Sequence, residues 1–434
     1  MKGRKLAVIG AGSAYTPEII DEIIKRSDRL NITEIALADI PEGAQRAEII
    51  KKMAERMLRR AGVGCTVTLT LNRRDALPGS DFVISQIRVG GWRARAEDER
   101  IGLTLGLIGQ ETTGCGGFMN AMRTVPEALA ICRDIEELCP DAILLNFTNP
   151  SGIVTEAVMR YSKVNAIGLC NVPINMHADA AAALGIGRDQ LECRFAGLNH
   201  LSFMTSARTG GRDVYRELVD KLRSDPTRMK NIPKVDGTDR LIPDIGLIPS
   251  PYLQYFYFEP EMFEKEKREL SENGTTRGEQ VENINRELFS IYAKEETDEK
   301  PQQLSQRGGS LYSFAAMDIL EACLSDRQWE MTINTLNRGA ISGLSDDAGV
   351  EITCLVSKDG VERIPVGELP RQVAGLVEEV KKYESLTVDA AVRGSRRLAV
   401  QALLNNPLIH GFTNAEKVIH SMETRDICPI SWKE

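Results

Sequence analysis

The sequence predicts an α/β protein whose N-terminal parallel sheet is followed by an α+β domain. In the first half, short apolar runs alternate with amphipathic helical stretches, which is typical of parallel strands covered by helices on both faces. Longer charged helical stretches dominate after residue 193. Because 434 residues exceed the size at which one hydrophobic core stops growing, we predict two domains, residues 1–193 and 194–434.

The elements follow from the period of the apolar residues, which is 2 or continuous for strands and 3.6 for helices. The first half is predicted to contain, in order, a strand at 5–9, a helix at 18–25, a strand at 34–38, a helix at 42–60, strands at 66–71 and 82–87, a helix at 125–138, and strands at 142–146 and 166–169. The second half is predicted to contain helices at 215–223, 260–270, 279–294 and 370–384 and a strand near 350–356.

Composition excludes several classes of protein. The net charge of −8 disfavours a nucleic-acid partner, since phosphates require a surplus of Lys and Arg. No apolar run is long enough to span a membrane, and no cleavable signal is visible at the N-terminus, so we expect a cytoplasmic protein with no membrane partner. The nine cysteines are spaced singly, which predicts reduced thiols.

A glycine turn between the first strand and the first helix predicts a dinucleotide site. Gly10 and Gly12 would let the backbone approach a pyrophosphate, with Ser13 beside them, although Tyr15 replaces the third glycine of the usual motif. Asp39, at the end of the second strand, is placed to bind a ribose 2′-hydroxyl, which favours NAD over NADP. These features predict a Rossmann-like domain of the kind found in lactate and malate dehydrogenases. The alternative is an ordinary turn with a surface carboxylate.

Three polar motifs, at 146–150, 169–173 and 197–201, interrupt apolar surroundings. The first two follow predicted parallel strands, at the edge where open α/β sheets bind ligands. Cys170 and His200 could hold a divalent transition metal and leave positions open for substrate hydroxyls. Taken alone, a buried cysteine and a hydrogen-bonded histidine are the more common interpretation.

Two further stretches could contribute to a site. The glycine-rich stretch 106–118 is predicted to be a loop shaped around a ligand, or else a connection without a chemical role. Tyr252 and Tyr255 lie in a tyrosine-rich stretch at 249–257; packing is the simpler interpretation, but a tyrosine beside a metal-bound substrate can act as a base.

Together these motifs resemble the family 4 glycoside hydrolases, the NAD- and metal-dependent glycosidases that lack the usual pair of catalytic carboxylates. The matching stretches occur in one fixed order and span nearly the whole chain: 10–17, 88–91, 109–118, 146–152, 170–173, 199–201, 249–257, 276–277, 307–309, 383–386 and 390–391.

The resemblance implies a metal centre and a sugar site. It implies that Cys170 and His200 bind a divalent metal, commonly Mn²⁺, which also contacts two adjacent sugar hydroxyls. Asn149 and Arg88 match residues that contact the sugar.

The resemblance also implies an elimination mechanism in which NAD removes hydride from C3 of the sugar and the metal polarises the resulting ketone. Tyr252, with Tyr255 as the alternative, would then remove the proton on C2. Glu111 could assist proton transfer at the leaving group. The aglycone oxygen then leaves from C1, water adds to the resulting enone and NADH returns its hydride, so the cofactor is regenerated in each turnover.

The implied substrate is a 6-phospho-β-glucoside, either a phosphorylated disaccharide or an aryl glycoside. Asn171 stands where members that act on α-linked substrates tend to have Asp. Candidate contacts to the 6-phosphate are Ser13, Arg88, Arg277 and Arg307. The family also includes α-galactosidases and galacturonidases, and these two activities are the alternatives. We also expect a homodimer or homotetramer.

A rival from another class is a 2-hydroxy-acid dehydrogenase, which shares the N-terminal architecture and needs no metal. Such enzymes usually carry a Gly-His-Gly-Asp-like motif, and residues 197–201 do not match it. A non-catalytic NAD sensor is disfavoured by the ligand-shaped motifs of the second domain.

Overall fold

The computed structural model describes residues 3–224, 238–307 and 311–433. Its strands are β1 Arg4–Ile9, β2 Ile32–Ala38, β3 Thr66–Thr70, β4 Phe82–Ser85, β5 Ile143–Asn146, β6 Asn165–Gly168, β7 Glu192–Leu198, β8 Leu201–Thr209, β9 Arg212–Asp213, β10 Ile248–Pro249, β11 Trp329–Leu336, β12 Gly349–Ser357 and β13 Gly360–Arg363. Its helices are α1 Thr16–Lys25, α2 Ser27–Leu30, α3 Ala44–Ala61, α4 Arg73–Ala76, α5 Gly91–Thr104, α6 Gly114–Leu138, α7 Ser151–Tyr161, α8 Asn171–Leu184, α9 Tyr215–Ser224, α10 Thr238–Ile245, α11 Gln254–Tyr257, α12 Glu259–Asn273, α13 Arg277–Tyr292, α14 Tyr312–Leu324, α15 Arg371–Arg393, α16 Arg396–Leu404 and α17 Phe412–Thr424.

A mixed sheet forms the centre of the molecule. In the described residues its strand order is β13-β12-β11-β6-β5-β4-β1-β2-β3. The six strands from β6 to β3 pair in parallel, as the alternation of apolar runs and helices predicts. The central strands are buried because helices cover both faces; Leu6 and Val8 of β1 have no exposed surface. The predicted α/β class is confirmed.

The second half of the chain extends this sheet. β11 joins β6 through an antiparallel pairing of Asn334 with Gly168, and β12 and β13 continue the antiparallel edge. The sequence predicts an α+β unit packed on the first domain, but not that it shares the same sheet. Both halves also contribute to one core cluster, which contains Leu6 and Val350. The division at residue 193 stays a prediction.

The parallel part has a switch point between β1 and β4. From β1 the chain runs outward through β2 and β3, and then returns to β4 on the other side of β1 before running to β5 and β6. In open α/β sheets, ligands bind outside the carboxyl ends of the strands at such a point. The glycine turn after β1 therefore lies where a ligand is expected.

One predicted loop is partly wrong. Stretch 106–118 is not a loop throughout, since α6 begins at Gly114 and includes the last five of these residues. Gly116 and Gly117 serve close packing: a Cβ on Gly116 would lie 2.2 Å from the Gln110 carbonyl oxygen, and one on Gly117 would lie 2.5 Å from Thr112. The glycines thus let residues 110–112 press against the first turn of α6. Among the described helices, none has the length and apolar character needed to cross a membrane.

Candidate active site

The glycine turn and Asp39 form a single unit. Gly10 has φ +85°, and a Cβ there would lie 2.9 Å from the carbonyl oxygen of Gln86, the residue after the neighbouring strand β4. The Gly12 amide donates to Asp39 Oδ2 at 2.5 Å, and the Ile40 amide donates to Oδ1 at 2.8 Å. A carboxylate has about four lone-pair sites, so Asp39 can hold the turn and still accept from a ligand hydroxyl.

This turn opens onto a cleft of about 1360 Å³ at the carboxyl ends of the strands. Its volume exceeds the roughly 300–1,000 Å³ of common small-ligand sites. The predicted site residues that line the cleft are Gly10, Gly12, Ser13, Asp39, Arg88 and Asn149. The structure therefore brings the predicted dinucleotide and sugar contacts to one cavity.

His200 lies in the tight turn between β7 and β8, with φ +65°. Its ring is buried, and its Nδ1 lies 3.1 Å from the Thr112 hydroxyl oxygen. Burial lowers the pKa of His200 to about 3, because desolvation disfavours the charged ring. The imidazole is therefore neutral, which is the form that binds a metal.

Cys170 is the N-cap residue of α8, two positions after the end of β6. Its Sγ accepts from the Val172 amide at 3.4 Å. Burial raises the pKa of the Cys170 thiol well above its usual value, and the nearby carboxylate of Glu351 adds to this. A hydrogen bond from Asn199 acts in the opposite direction, so the residue before His200 contacts the Cys170 thiol.

Tyr252 packs against His200 and lies within electrostatic reach of Cys170. Its ring stacks on the His200 ring with centroids 3.7 Å apart and an interplanar angle of 4°. Burial raises the pKa of the Tyr252 phenol most, and the charges of Cys170 and Glu111 raise it further. The ring centroid of Tyr255 lies 5.9 Å from that of Tyr252, and Tyr255 packs in an apolar cluster with Ile108.

Glu111 connects this group to the cleft. It pairs with Arg88 at 2.5 Å and with Arg95 at 2.8 Å. Arg88 lines the cleft and its guanidinium lies over the Trp92 ring, 4.5 Å from the centroid. Arg277, the first residue of α13, also lies within electrostatic reach of Glu111, and burial lowers its pKa.

The cleft and the cysteine–histidine group are adjacent but distinct. Of the described residues that line the cleft, none is Cys170, His200 or Tyr252. Tyr312, which does line it, donates its hydroxyl to the carbonyl of Leu169, next to Cys170. Asn171 begins α8, and its carbonyl accepts from Asn175 Nδ2 at 2.8 Å. The side chain of Arg307 lies outside the described residues.

Glu351 is a site residue that the sequence does not reveal. This buried carboxylate of β12 accepts from Asn199 Nδ2 at 3.1 Å and from Ser202 Oγ at 2.7 Å. These two donors flank His200, so Glu351 holds the turn that carries it. An acidic residue inside the apolar run 350–356 was a usable signal.

The sequence also does not reveal Arg95 and Thr112 as site residues, for a different reason. Arg95 is one of several charged residues on α5, and Thr112 is one of two adjacent threonines, so neither differs from its neighbours in the sequence. Only the packing of α5 and of residues 110–112 against the site distinguishes them.

The set of metal-binding side chains is small. No group of three or more His, Cys, Asp and Glu side chains that could hold a metal occurs in the described parts of the chain. Cys170 and His200 would thus supply two ligands, which leaves coordination positions for a substrate.

Comparison with known proteins places the chain in a family. Residues 5–186 match the model of the family 4 glycosyl hydrolases, and residues 195–409 match the model of the family 4 glycosyl hydrolase C-terminal domain. A lactate dehydrogenase from a deep-sea metagenome library shares the fold, with 14% identity, coverage of 90% of this chain and all of that chain, and a TM-score of 0.53.

Three similar proteins are more informative. A probable 6-phospho-beta-glucosidase of Bacillus subtilis is 43% identical, with 97% of this chain and 96% of that protein covered. A 6-phospho-beta-glucosidase of Escherichia coli is 37% identical, with 96% and 94% covered. The structure of the Thermotoga maritima 6-phospho-beta glucosidase with manganese, NAD⁺ and glucose-6-phosphate has a TM-score of 0.86 at 32% identity and covers 98% of this chain and 99% of that chain. The predicted resemblance is confirmed: the chain belongs to the family 4 glycosyl hydrolases.

Proposed function

We propose that this enzyme hydrolyses 6-phospho-β-glucosides with the help of NAD and a divalent metal, for which Mn²⁺ is the first candidate. The observation that carries the proposal is the stacking of Tyr252 on His200, with Cys170 within electrostatic reach of the Tyr252 phenol, next to a cleft that starts at a glycine turn. The names of the Bacillus subtilis and Escherichia coli relatives agree with this activity.

The residues of the cleft fit NAD. A side chain on Gly10 would meet the Gln86 backbone and one on Gly12 would meet Asp39, so glycine is needed for this turn, whose backbone can approach a pyrophosphate at the start of α1. Asp39 faces the cleft with acceptor capacity to spare, and its charge would repel the 2′-phosphate of NADP.

The buried pair also fits a divalent metal. A neutral imidazole and a thiol are suitable ligands for a transition metal once the thiol loses its proton. When bound, NAD supplies a hydride acceptor, and a divalent cation supplies a positive charge that polarises sugar oxygens and favours the ionised form of the Tyr252 phenol.

The remaining chemistry belongs to side chains. Tyr252 removes the C2 proton, and its stacking on His200 fixes the orientation of its hydroxyl. Glu111 transfers a proton at the leaving-group oxygen, while Arg88 and Asn149 orient the sugar from the cleft wall. The groups for proton removal and leaving-group departure, Tyr252 and Glu111, thus lie within electrostatic reach of each other.

Contacts to the 6-phosphate come from Ser13, Arg88 and Arg277. Ser13 and Arg88 line the same cleft, and Arg277 lies within reach of the Arg88 partner Glu111. Guanidinium groups suit phosphate because they donate two hydrogen bonds in one plane. Asn171 is the residue proposed to favour β-linked substrates.

The assay that tests this function omits one component at a time. We expect hydrolysis of an aryl 6-phospho-β-glucoside only when NAD and Mn²⁺ are both present and the thiols are reduced. A panel with the unphosphorylated β-glucoside, the 6-phospho-α-glucoside and the 6-phospho-β-galactoside identifies the preferred sugar. Full activity after exhaustive removal of NAD and metal would falsify the proposal.

Asp39→Ala is expected to weaken NAD binding by about 10- to 100-fold. The variant loses hydrogen bonds to a charged group, each worth about 1.5–3 kcal/mol. NADP binding should change less, so the preference for NAD should fall. Titration of cofactor fluorescence measures both affinities, with Asp75→Ala, a carboxylate exposed near the same sheet edge, as the matched control. An NAD affinity within twofold of the wild type would contradict the assigned role of Asp39.

A homodimer or homotetramer, a disaccharide or aryl aglycone, and a location in the cytoplasm stay predictions. Size-exclusion chromatography with light scattering would determine the oligomeric state.

A further inference from the structure

We propose that Thr112 is a positioning residue that holds His200 in the tautomer with the proton on Nδ1 and so directs Nε2 to the metal. This inference rests on the proposed metal site. It concerns a hydroxyl group outside the set of predicted ligands, which contacts His200 at 3.1 Å.

The side chain of Gln110 determines where the Thr112 hydroxyl hydrogen points. Gln110 Oε1 accepts from the backbone amides of Thr112 at 2.6 Å and Thr113 at 2.8 Å, so the atom at this position must be the amide oxygen and not the nitrogen. The same oxygen lies 2.9 Å from Thr112 Oγ1. An amide oxygen cannot donate, so the Thr112 hydroxyl must give it its one hydrogen.

The consequence for His200 is direct. With its hydrogen committed to Gln110, Thr112 Oγ1 offers only lone pairs to the imidazole, and the 3.1 Å contact requires a hydrogen on Nδ1. A neutral ring has one N–H, so Nε2 carries the free lone pair. Thr112 also lies within hydrogen-bonding reach of the Tyr252 phenol, and this contact lowers the phenol pKa, but burial raises that pKa more, so the phenol keeps its hydrogen and can donate it to a lone pair of Thr112 Oγ1.

The backbone around Thr112 is fixed by close packing. Residues 110–112 lie so near α6 that a Cβ on Gly116 or Gly117 would meet backbone atoms of this segment at 2.2–2.5 Å. Close packing against α6 therefore fixes the backbone that carries the Thr112 hydroxyl. The glycines of α6 thus contribute indirectly to the orientation of His200. Groups that orient a metal-binding histidine through its other nitrogen are a general feature of metal sites.

Thr112→Val tests the proposal, because it keeps the shape of the side chain and removes the acceptor. Thr113→Val is the matched control: Thr113 is the N-cap of α6 and makes no side-chain capping bond. Thr112→Ser restores a hydroxyl. The first readout is the ¹⁵N spectrum of the imidazoles in the metal-free enzyme, which separates the two tautomers. The chain has four histidines, so a spectrum of His200→Ala identifies the His200 signals.

We expect wild type, Thr113→Val and Thr112→Ser to show His200 protonated on Nδ1, and Thr112→Val to show a mixture of tautomers. The second readout is the Mn²⁺ affinity by calorimetry, which should fall by about 10- to 100-fold in Thr112→Val and remain within about threefold in the other two variants. NAD affinity should be unchanged in all of them.

Two results would overturn the inference: a single Nδ1-protonated signal in Thr112→Val, or a Mn²⁺ affinity equal to that of the Thr113→Val control. Failure of the proposed metal site gives a different result, because His200→Ala would then bind Mn²⁺ as tightly as the wild type. The imidazole spectrum reports on the tautomer in either case, so the two failures can be told apart.

Discussion

Cys170→Ser and His200→Ala are each expected to lower kcat/KM by at least about 1,000-fold. Each change removes one of two proposed protein ligands, and a metal that stabilises developing charge contributes several kcal/mol, with about 1.4 kcal/mol for each factor of ten. Both variants should remain folded, since the serine is nearly isosteric and Glu351 still holds the turn of residue 200 through Asn199 and Ser202. Steady-state rates with saturating Mn²⁺ and NAD, together with thermal unfolding, measure both effects.

Two controls separate ligand loss from packing. Cys132→Ser changes a buried thiol within α6, and His177→Ala removes a half-buried ring that is hydrogen-bonded to the carbonyl of Leu191. Both should retain kcat/KM within a few-fold. A Cys170→Ser or His200→Ala enzyme with a near-normal rate that EDTA does not abolish would remove that residue from the metal site.

Tyr252→Phe is expected to lower kcat by about 100- to 10,000-fold, which is the usual contribution of a positioned general base. The phenyl ring can keep its stacking on His200, so Mn²⁺ and NAD affinities should stay within a few-fold of the wild type. The exchange of the C2 hydrogen of the substrate with deuterated solvent should disappear with the hydroxyl, which identifies the step that is lost.

Tyr255→Phe is the matched control for this prediction. Its ring lies in an apolar cluster with Ile108 and Met262, so its hydroxyl should contribute little to the rate. The opposite pattern, a severe loss in Tyr255→Phe and a mild one in Tyr252→Phe, would assign the base to Tyr255. Retained C2 exchange in both variants would exclude both tyrosines.

Local patterns predicted most of the fold. The apolar runs at 5–9, 34–38 and 350–356 are strands β1, β2 and β12 to within a few residues, because burial on both faces of a sheet imposes a continuous apolar stretch. The sharing of one sheet by both halves could not be predicted this way. It depends on a pairing between Asn334 and Gly168, which are 166 positions apart and carry no local signal of each other.

In the candidate site, too, some residues could be predicted from the local sequence and others could not. Asp39 and the glycine turn could be placed from the residues themselves, because a strand, a tight turn and a helix define where a dinucleotide approaches. The roles of Cys170, His200 and Tyr252 required the family resemblance. The start of α6 at Gly114 was missed because glycines usually indicate a loop, whereas these glycines admit the backbone of residues 110–112.

The supporting contacts were beyond the reach of the sequence. Glu351 and Thr112 act on His200 from positions 151 later and 88 earlier in the chain, through hydrogen bonds that exist only when β12, α6 and the β7–β8 turn come together. Such partners fix ligand geometry without a motif of their own.

Anomalous diffraction at the manganese absorption edge, from crystals grown with Mn²⁺, NAD and glucose 6-phosphate, tests the metal centre most directly. We expect one strong peak within bonding distance of Cys170 Sγ and His200 Nε2, facing the sugar. A peak held by other side chains, or by only one of these two, would contradict the account.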